Sequence, residues 1–291
     1  MLFFLAGITG NVGGAAARNL LQQGHSVRAL VRDTAKAADW ASQGVQLQQG
    51  DWNDSAALAT ALQGVDGAYL MVPPTQAPSR DFREAKAILA SYKQALTEAR
   101  PPKLVLLSSF GSEQTEGLGL ITATSLLEQE LTHLNIPTAI LRPGGFFENY
   151  LNGLDYVRQS GTLSTFYAPA DRPLLMTATA DIGAEVARLL TSEWNGNRIF
   201  ELGEIYSPAD IAAAMTEAFG TTITAQAVPR DRWTATLESV GFPAGTTWAY
   251  EEMVDGINSG HIHWDVQGTE PLPGTITPTQ FFQTLKQPAR A

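Results

Sequence analysis

Met1-Leu2-Phe3-Phe4-Leu5-Ala6-Gly7-Ile8-Thr9-Gly10-Asn11-Val12-Gly13-Gly14 opens the sequence, and its reading decides the fold. A short apolar run leads straight into Gly-x-x-Gly-x-x-Gly, and the residues after it recur at helical spacing, with Val12, Ala16 and Leu20 on one face. Gly24 stands where a helix C-terminal cap belongs. Between a buried strand and a helix, such a loop has a specific use. Gly7 permits a tight turn, Gly10 lets the backbone approach a pyrophosphate, and Gly13 lets the helix pack close to the sheet. The helix N-terminus then presents free N–H groups and a positive dipole end to phosphate. Gly7, Thr9, Gly10, Asn11, Val12 and Gly13 are therefore candidate cofactor-binding residues, the alternative being a glycine-rich turn with no ligand.

Outward from this loop, strands are expected at Leu2–Ala6, Ser26–Val31, Val45–Gln48, Gly67–Val72, Lys103–Leu107 and Thr138–Leu141. The runs Leu2–Ala6 and Leu104–Leu107 are apolar throughout, as for strands covered on both faces. Between the strands lie helical stripes, one of Phe82, Ala85, Ile88, Leu89, Tyr92 and Leu96, another of Leu127, Leu131 and Leu134. Alternating strands and helices imply parallel strands joined by right-handed crossovers. The expected fold class is α/β, a Rossmann-type doubly wound parallel sheet with a smaller, mostly helical C-terminal substrate-side domain. Residues 1–150 form the expected NADP(H)-binding domain, with 180–203 returning to it, and 151–291 the smaller region. There a helix begins near Phe147, a Pro- and Gly-spaced stretch runs from Gly161 to Pro173, and Asp181 caps a helix reaching about Leu190. A strand at Arg198–Leu202 follows, then helices near Pro208–Phe219, Arg230–Val240, Thr247–Asn258 and Pro278–Leu285.

The second strand ends Val31-Arg32-Asp33. A carboxylate here binds the ribose 2′-hydroxyl of NAD, whereas a cation binds the 2′-phosphate of NADP. Arg32 offers a planar guanidinium, with Arg28 nearby, so NADP(H) is preferred; Asp33 keeps NAD(H) open. At the end of the third strand, Asp51 could accept from the adenine amino group and Trp52 line its edge. The alternative is a helix N-cap network, in which Asp54 is the stronger cap. Met71, Val72 and Pro73, with Pro74, end the fourth strand and wall the ribose.

The chain is 44% hydrophobic and 16% charged, a balance that builds a core without disulfide or metal staples. It has no cysteine, which removes thiol nucleophiles, disulfides and thiolate metal sites together. A formal net charge of −10 disfavours polyanion binding, so no direct nucleic-acid contact is expected. No run approaches about 18 apolar residues, and the apolar start lacks a basic leader, so neither a membrane span nor a signal peptide is expected. A cytoplasmic protein is the default. His261-Ile262-His263 has a spacing that can bind metal, with Asp265 close, but no third ligand is identifiable and none is assigned. There is no Gly-x-Ser-x-Gly elbow and no Gly-x-x-x-x-Gly-Lys loop, which sets aside hydrolase and triphosphatase readings.

Taken in order, Gly7-x-x-Gly10-x-x-Gly13, Val31-Arg32-Asp33, Gly50-Asp51, Leu141-Arg142-Pro143-Gly144-Gly145-Phe146-Phe147-Glu148-Asn149, Asp181-Ile182-Gly183 and Gly274 with Thr275–Phe282 resemble the NmrA-like branch of the atypical short-chain dehydrogenases. That group holds NADPH-dependent quinone, azo-dye and triphenylmethane-dye reductases and also non-catalytic NADP-sensing regulators. The resemblance implies that Pro143, Gly144 and Phe146 border the nicotinamide, although Phe146 and Phe147 read equally as core. Ser108 and Ser109, ending the fifth strand, could bond the carboxamide or a substrate oxygen, or serve the strand end.

Ordinary short-chain dehydrogenases carry a Tyr-x-x-x-Lys helix. Here that helix reads Ile121-Thr122-Ala123-Thr124-Ser125-Leu126-Leu127-Glu128, with neither residue. Many reductases of the group align a Lys or His with Thr124. Ser109 and Thr124 are thus the only catalytic candidates, and both are weak. Two functions follow: NADPH-dependent reduction of a small aromatic or quinone-like acceptor, or a non-catalytic NADP(H) sensor acting through a protein partner. A homodimer is compatible with either. Trp233, Trp248, Tyr250 and Trp264 could line an aromatic pocket or fill a core.

Overall fold

The computed structural model describes residues 1–285 of the chain. Its first half runs β1 (Leu2–Leu5), α1 (Asn11–Gln22), β2 (Ser26–Val31), α2 (Ala38–Ser42), β3 (Gln46–Gln49), α3 (Ser55–Leu62), β4 (Gly67–Leu70), α4 (Arg83–Ala99), β5 (Leu104–Leu107), α5 (Thr122–Leu131) and β6 (Thr138–Pro143). The remainder runs β7 (Gly145–Phe146), α6 (Leu154–Ser160), β8 (Thr162–Thr165), β9 (Leu174–Thr177), α7 (Thr179–Thr191), β10 (Asn197–Leu202), β11 (Glu204–Tyr206), α8 (Pro208–Phe219), β12 (Thr224–Ala227), α9 (Trp233–Ser239), α10 (Trp248–Ser259), β13 (Glu270–Leu272) and α11 (Pro278–Gln283).

Eight strands form one parallel sheet in the order β13-β10-β6-β5-β4-β1-β2-β3. β1 lies between β2 and β4, so the direction of strand addition reverses there, and the crevice outside the carboxyl ends of these strands is where such sheets bind ligands. The apolar runs are buried as their composition demands: Phe3, Phe4 and Leu5 of β1 and Leu104, Val105 and Leu106 of β5 are 0% exposed. At the end of α1, Gly24 takes φ +79° and His25 donates its N–H to the Leu20 carbonyl at 3.0 Å, closing the helix in a Schellman arrangement.

A second apolar cluster, separate from the sheet core, joins Phe110, Phe147, Leu174, Leu175, Met176, Ile211, Met215, Ile262 and Phe282. The region that holds it is not only helical. It carries a three-stranded sheet, β11-β9-β7, and a two-stranded one, β12-β8, and it returns β13 to the main sheet beside β10. The Gly161–Pro173 stretch accordingly contains β8, whose sequence Thr-Leu-Ser-Thr alternates too weakly to announce a strand. Gly144 lets the two parts approach closely, since a Cβ there would overlap the Leu175 backbone.

Asp181 does not cap α7. The helix starts two residues earlier, and Glu148 caps it, accepting from the Thr179 N–H at 3.1 Å and the Thr179 hydroxyl at 2.6 Å. Asp181 instead accepts from the N–H groups of Thr275 and Ile276 at 2.9 and 3.0 Å and from the Thr275 hydroxyl, pinning the closing segment.

Candidate functional site

The glycine loop crosses from β1 to α1 at the switch point. Gly7 has φ +63°, a left-handed conformation that favours glycine, and a Cβ on Gly13 would overlap the Gly7 carbonyl. The turn is closed by the Gly10 N–H on the Gly7 carbonyl at 2.9 Å. Thr9, Gly10 and Asn11 are exposed, while Val12 and Gly13 are buried beneath them. No side chain caps α1, and its first turn has no acidic residue. The N–H groups of that turn are therefore open to an anion, with the helix dipole behind them.

At the end of β2, the two arginines have different fates. Arg28 donates to the Gln46 side chain and to the carbonyls of Ala61 and Gln63 at 3.0 and 2.8 Å, so it serves the sheet edge. Arg32 is exposed, and its guanidinium has no protein partner among the described residues. Asp33 accepts from the backbone N–H groups of Ala35 and Lys36, stabilising the turn after the strand.

Beyond β3, the Asp51 carboxylate accepts from the backbone and side-chain N–H of Asn53, both at 3.0 Å. Asp54 is the cap of α3, accepting from Ala57 N–H at 2.9 Å. Trp52 is half-buried and meets Tyr92 edge-on at 6.4 Å. Met71, Val72 and Pro73 are half-buried after β4, with the Met71 sulfur beside Gly7 and the Met71 carbonyl accepting from the Tyr92 hydroxyl at 2.9 Å.

The ends of β5 and β6 hold a buried ionic network that sequence reasoning missed. Arg142, 3% exposed, donates to both Glu128 oxygens at 2.9 and 2.6 Å and to Glu113 at 2.8 Å. Burial works most strongly against its charge, but the Glu128 hydrogen bonds together with the charges of Glu128, Glu113 and Glu201 outweigh it and hold the pKa above the ordinary value. Ser108 is buried and donates its hydroxyl to Glu128, so that hydroxyl belongs to this network. Ser109, the next residue, is half-buried, and its hydroxyl has no partner among the described residues. Thr124 donates to the Ile121 carbonyl at 2.8 Å and pairs with the Ser112 hydroxyl at 2.9 Å. Pro143 and Gly144 are buried, and Phe146 is half-buried against the sheet core. A lone arginine in the apolar strand Thr-Ala-Ile-Leu-Arg-Pro was the available signal, because a buried guanidinium requires a carboxylate.

The chain matches the profile of the NmrA-like family over residues 3–262. It belongs to that family. It is 27% identical over 279 residues to quinone oxidoreductase 2 of Escherichia coli, covering 94% of each chain. It is 25% identical to an NAD(P)H azoreductase of Xenophilus azovorans, over 87% of this chain and 86% of that one. Among solved structures, the NADPH-dependent quinone oxidoreductase of Escherichia coli complexed with NADPH superposes with a TM-score of 0.79 at 26% identity, covering 97% of this chain and 99% of the other.

Within this NmrA-like chain the remaining constellations are structural or lie in the smaller part. His261 Nε2 is 2.9 Å from the Glu116 carbonyl, and His263 Nδ1 is 3.2 Å from the His261 carbonyl. Among the described residues no group of three or more His, Asp or Glu is placed to hold a metal ion, and no helix is long and apolar enough to cross a membrane. Trp233 is buried, whereas Trp248, Tyr250 and Trp264 are half-buried. Trp248 receives Arg80 over its face at 4.2 Å and Phe82 edge-on at 5.9 Å, which ties the segment after β4 to α10.

Proposed function

We propose that this protein is an NADPH-dependent oxidoreductase that reduces a small conjugated acceptor, a quinone or an azo or related dye, in the cytoplasm. The observation that carries the reading is the uncapped α1 N-terminus, under a loop where a Cβ on Gly13 has no room, on the same sheet edge as Arg32, whose guanidinium has no partner among the described residues. A dinucleotide fits that donor set: the loop and first-turn N–H groups suit the pyrophosphate, and Arg32 suits a 2′-phosphate. Asp51 and Trp52 hold the adenine, and Met71, Val72 and Pro73 wall the ribose. On this reading Pro143, Gly144 and Phe146 border the nicotinamide, and the Ser109 hydroxyl bonds the carboxamide or an acceptor oxygen. NADPH supplies hydride when bound. An electron-poor acceptor delocalises the resulting charge, so the absence of a Tyr-x-x-x-Lys pair is tolerable. The likeness to a quinone oxidoreductase and an azoreductase over most of the chain supports the same reading.

A second reading, an NADP(H) sensor without turnover, is favoured by one observation: the Ser108 and Thr124 hydroxyls are both committed to internal partners. The two part in one experiment, in which loss of the reduced-nicotinamide absorbance is followed against a panel of quinones, azo dyes and triphenylmethane dyes. Turnover that saturates with NADPH is expected. Tight NADP(H) binding with no turnover of any acceptor would replace the reductase by the sensor.

A further inference from the structure

The buried ionic network at the ends of β5 and β6 ties together more than one pair of elements. Glu128 of α5 receives Arg142 of β6 on both oxygens, at 2.9 and 2.6 Å, and the Ser108 hydroxyl at the end of β5 on one of them. All three residues are buried. Arg142 also donates to Glu113, in the loop after β5, at 2.8 Å. Across the sheet Arg142 is paired with Glu201 of β10, whose carboxylate accepts from the Asp265 N–H of the smaller part at 2.7 Å. Ser109 follows Ser108. Its other neighbour, Phe110, is held by its N–H on the Pro143 carbonyl at 3.3 Å and by an edge-on contact with Trp264 at 6.4 Å. Ser109 thus lies between two pinned residues.

A dinucleotide with its pyrophosphate on the β1–α1 loop and its 2′-phosphate at Arg32 runs its adenine half over β2. Its nicotinamide half then runs the opposite way, over β4 and β5. Neighbouring strands are about 4.8 Å apart, so the end of β5 lies about 10 Å from β1, within reach of that half. Ser109 and Pro143, which meet it there, each sit one position beyond a member of the network. A small displacement at a reacting centre costs a large factor in rate, so the groups around it need partners that lock their neighbours in place.

We propose that Glu128 is a positioning residue for the nicotinamide half of NADPH: by joining Ser108 to Arg142 it sets the carboxyl ends of β5 and β6 at the spacing that seats the ring. This assignment rests on the NADPH reading of the switch-point crevice and holds whichever acceptor is reduced. Glu128 acts through Ser108 and Arg142 and exchanges no proton with the cofactor.

The test titrates wild type, Ser108→Ala and Glu128→Gln calorimetrically with NADPH and with 2′-phospho-ADP-ribose, which lacks the nicotinamide ring, after a urea titration of each. Ser108→Ala frees β5 from Glu128, whereas Glu128→Gln turns an amide N–H toward Arg142 and frees β6. The ring-less fragment should bind all three proteins equally. NADPH should bind both variants about fivefold more weakly, and kcat for a quinone should fall roughly tenfold with its KM little changed. A ratio of NADPH to fragment affinity unchanged in either variant, an equal loss of both ligands, or a quinone kcat at the wild-type level would overturn the assignment. The network would then be structural only, with the NADPH site still standing. Failure of wild type to bind either ligand would overturn both readings. If wild type binds NADPH and turns over no acceptor, the affinity ratio alone decides. Ser108→Ala, the milder change, decides alone if Glu128→Gln does not fold.

Discussion

Thr124 gives its only proton to the Ile121 carbonyl, so toward Ser112 its oxygen can only accept. Thr124→Val should therefore leave the buried Ser112 hydroxyl without that partner, costing about 1–3 kcal/mol of stability. Turnover per folded molecule should remain at the wild-type level, measured in the nicotinamide assay beside a urea titration. A collapse of turnover at full stability would restore Thr124 as a catalytic group. Gly13 makes the opposite kind of prediction. Gly13→Val places side-chain atoms on the Gly7 carbonyl, so it should abolish NADPH binding. Calorimetric titration would show this, and retained affinity would mean that the loop is not the phosphate site. At this scale the sequence was informative where backbone geometry demands one residue type, as at Gly7, Gly13 and Gly24. It was silent on Glu128, whose role lies in its bonds to Arg142 and Ser108, seen only once the chain is folded.

The elements tell a similar story through their caps. Ser207 and Thr277 each form a capping box with the residue three positions on, behind Pro208 and Pro278, and both helix starts are legible from that local pattern. The start of α7 is not, because its cap is Glu148, 31 residues earlier, while the nearer Asp181 is drawn off to Thr275 and Ile276. Glu148→Ala should cost about 1 kcal/mol in a urea titration; no change would mean that the cap contributes nothing. β6 and α5 are joined by a stronger device. Glu128→Leu leaves Arg142 with Glu113 as its only hydrogen-bonded carboxylate and should destabilise the fold by roughly 3–5 kcal/mol. The other seven strands of the main sheet were readable in the sequence. β13 of that sheet, and β8 and β12 outside it, were not, being short, polar or both, and defined by partners far away in sequence.

Over the whole molecule, the Rossmann half was legible because each strand and helix carries its own period, whereas the smaller part is held by long-range contacts. One of these gives a pH prediction. Glu251 on α10 accepts from Thr234 at 2.7 Å and Arg230 at 2.8 Å, joining α9 and its lead-in to α10. Partial burial raises the pKa of this carboxyl, but hydrogen bonds from Thr234, Thr247 and Arg230 outweigh that and hold it below its ordinary value. Its contribution to stability is thus fully present above the unfolded-state pKa and is lost as pH falls through the lower folded-state value. Glu251→Gln should weaken the protein at neutral pH and shrink the difference from wild type in acid. A difference that does not depend on pH would contradict this.

The central claim is that the switch-point crevice is an NADPH site read by Arg32. The most direct measurement is a calorimetric titration of wild type and Arg32→Ala with NADPH and with NADH. The account predicts that wild type prefers NADPH by roughly tenfold or more. It predicts also that Arg32→Ala abolishes this preference by weakening NADPH binding alone. Equal affinities in wild type, or a preference that survives in the variant, would contradict it.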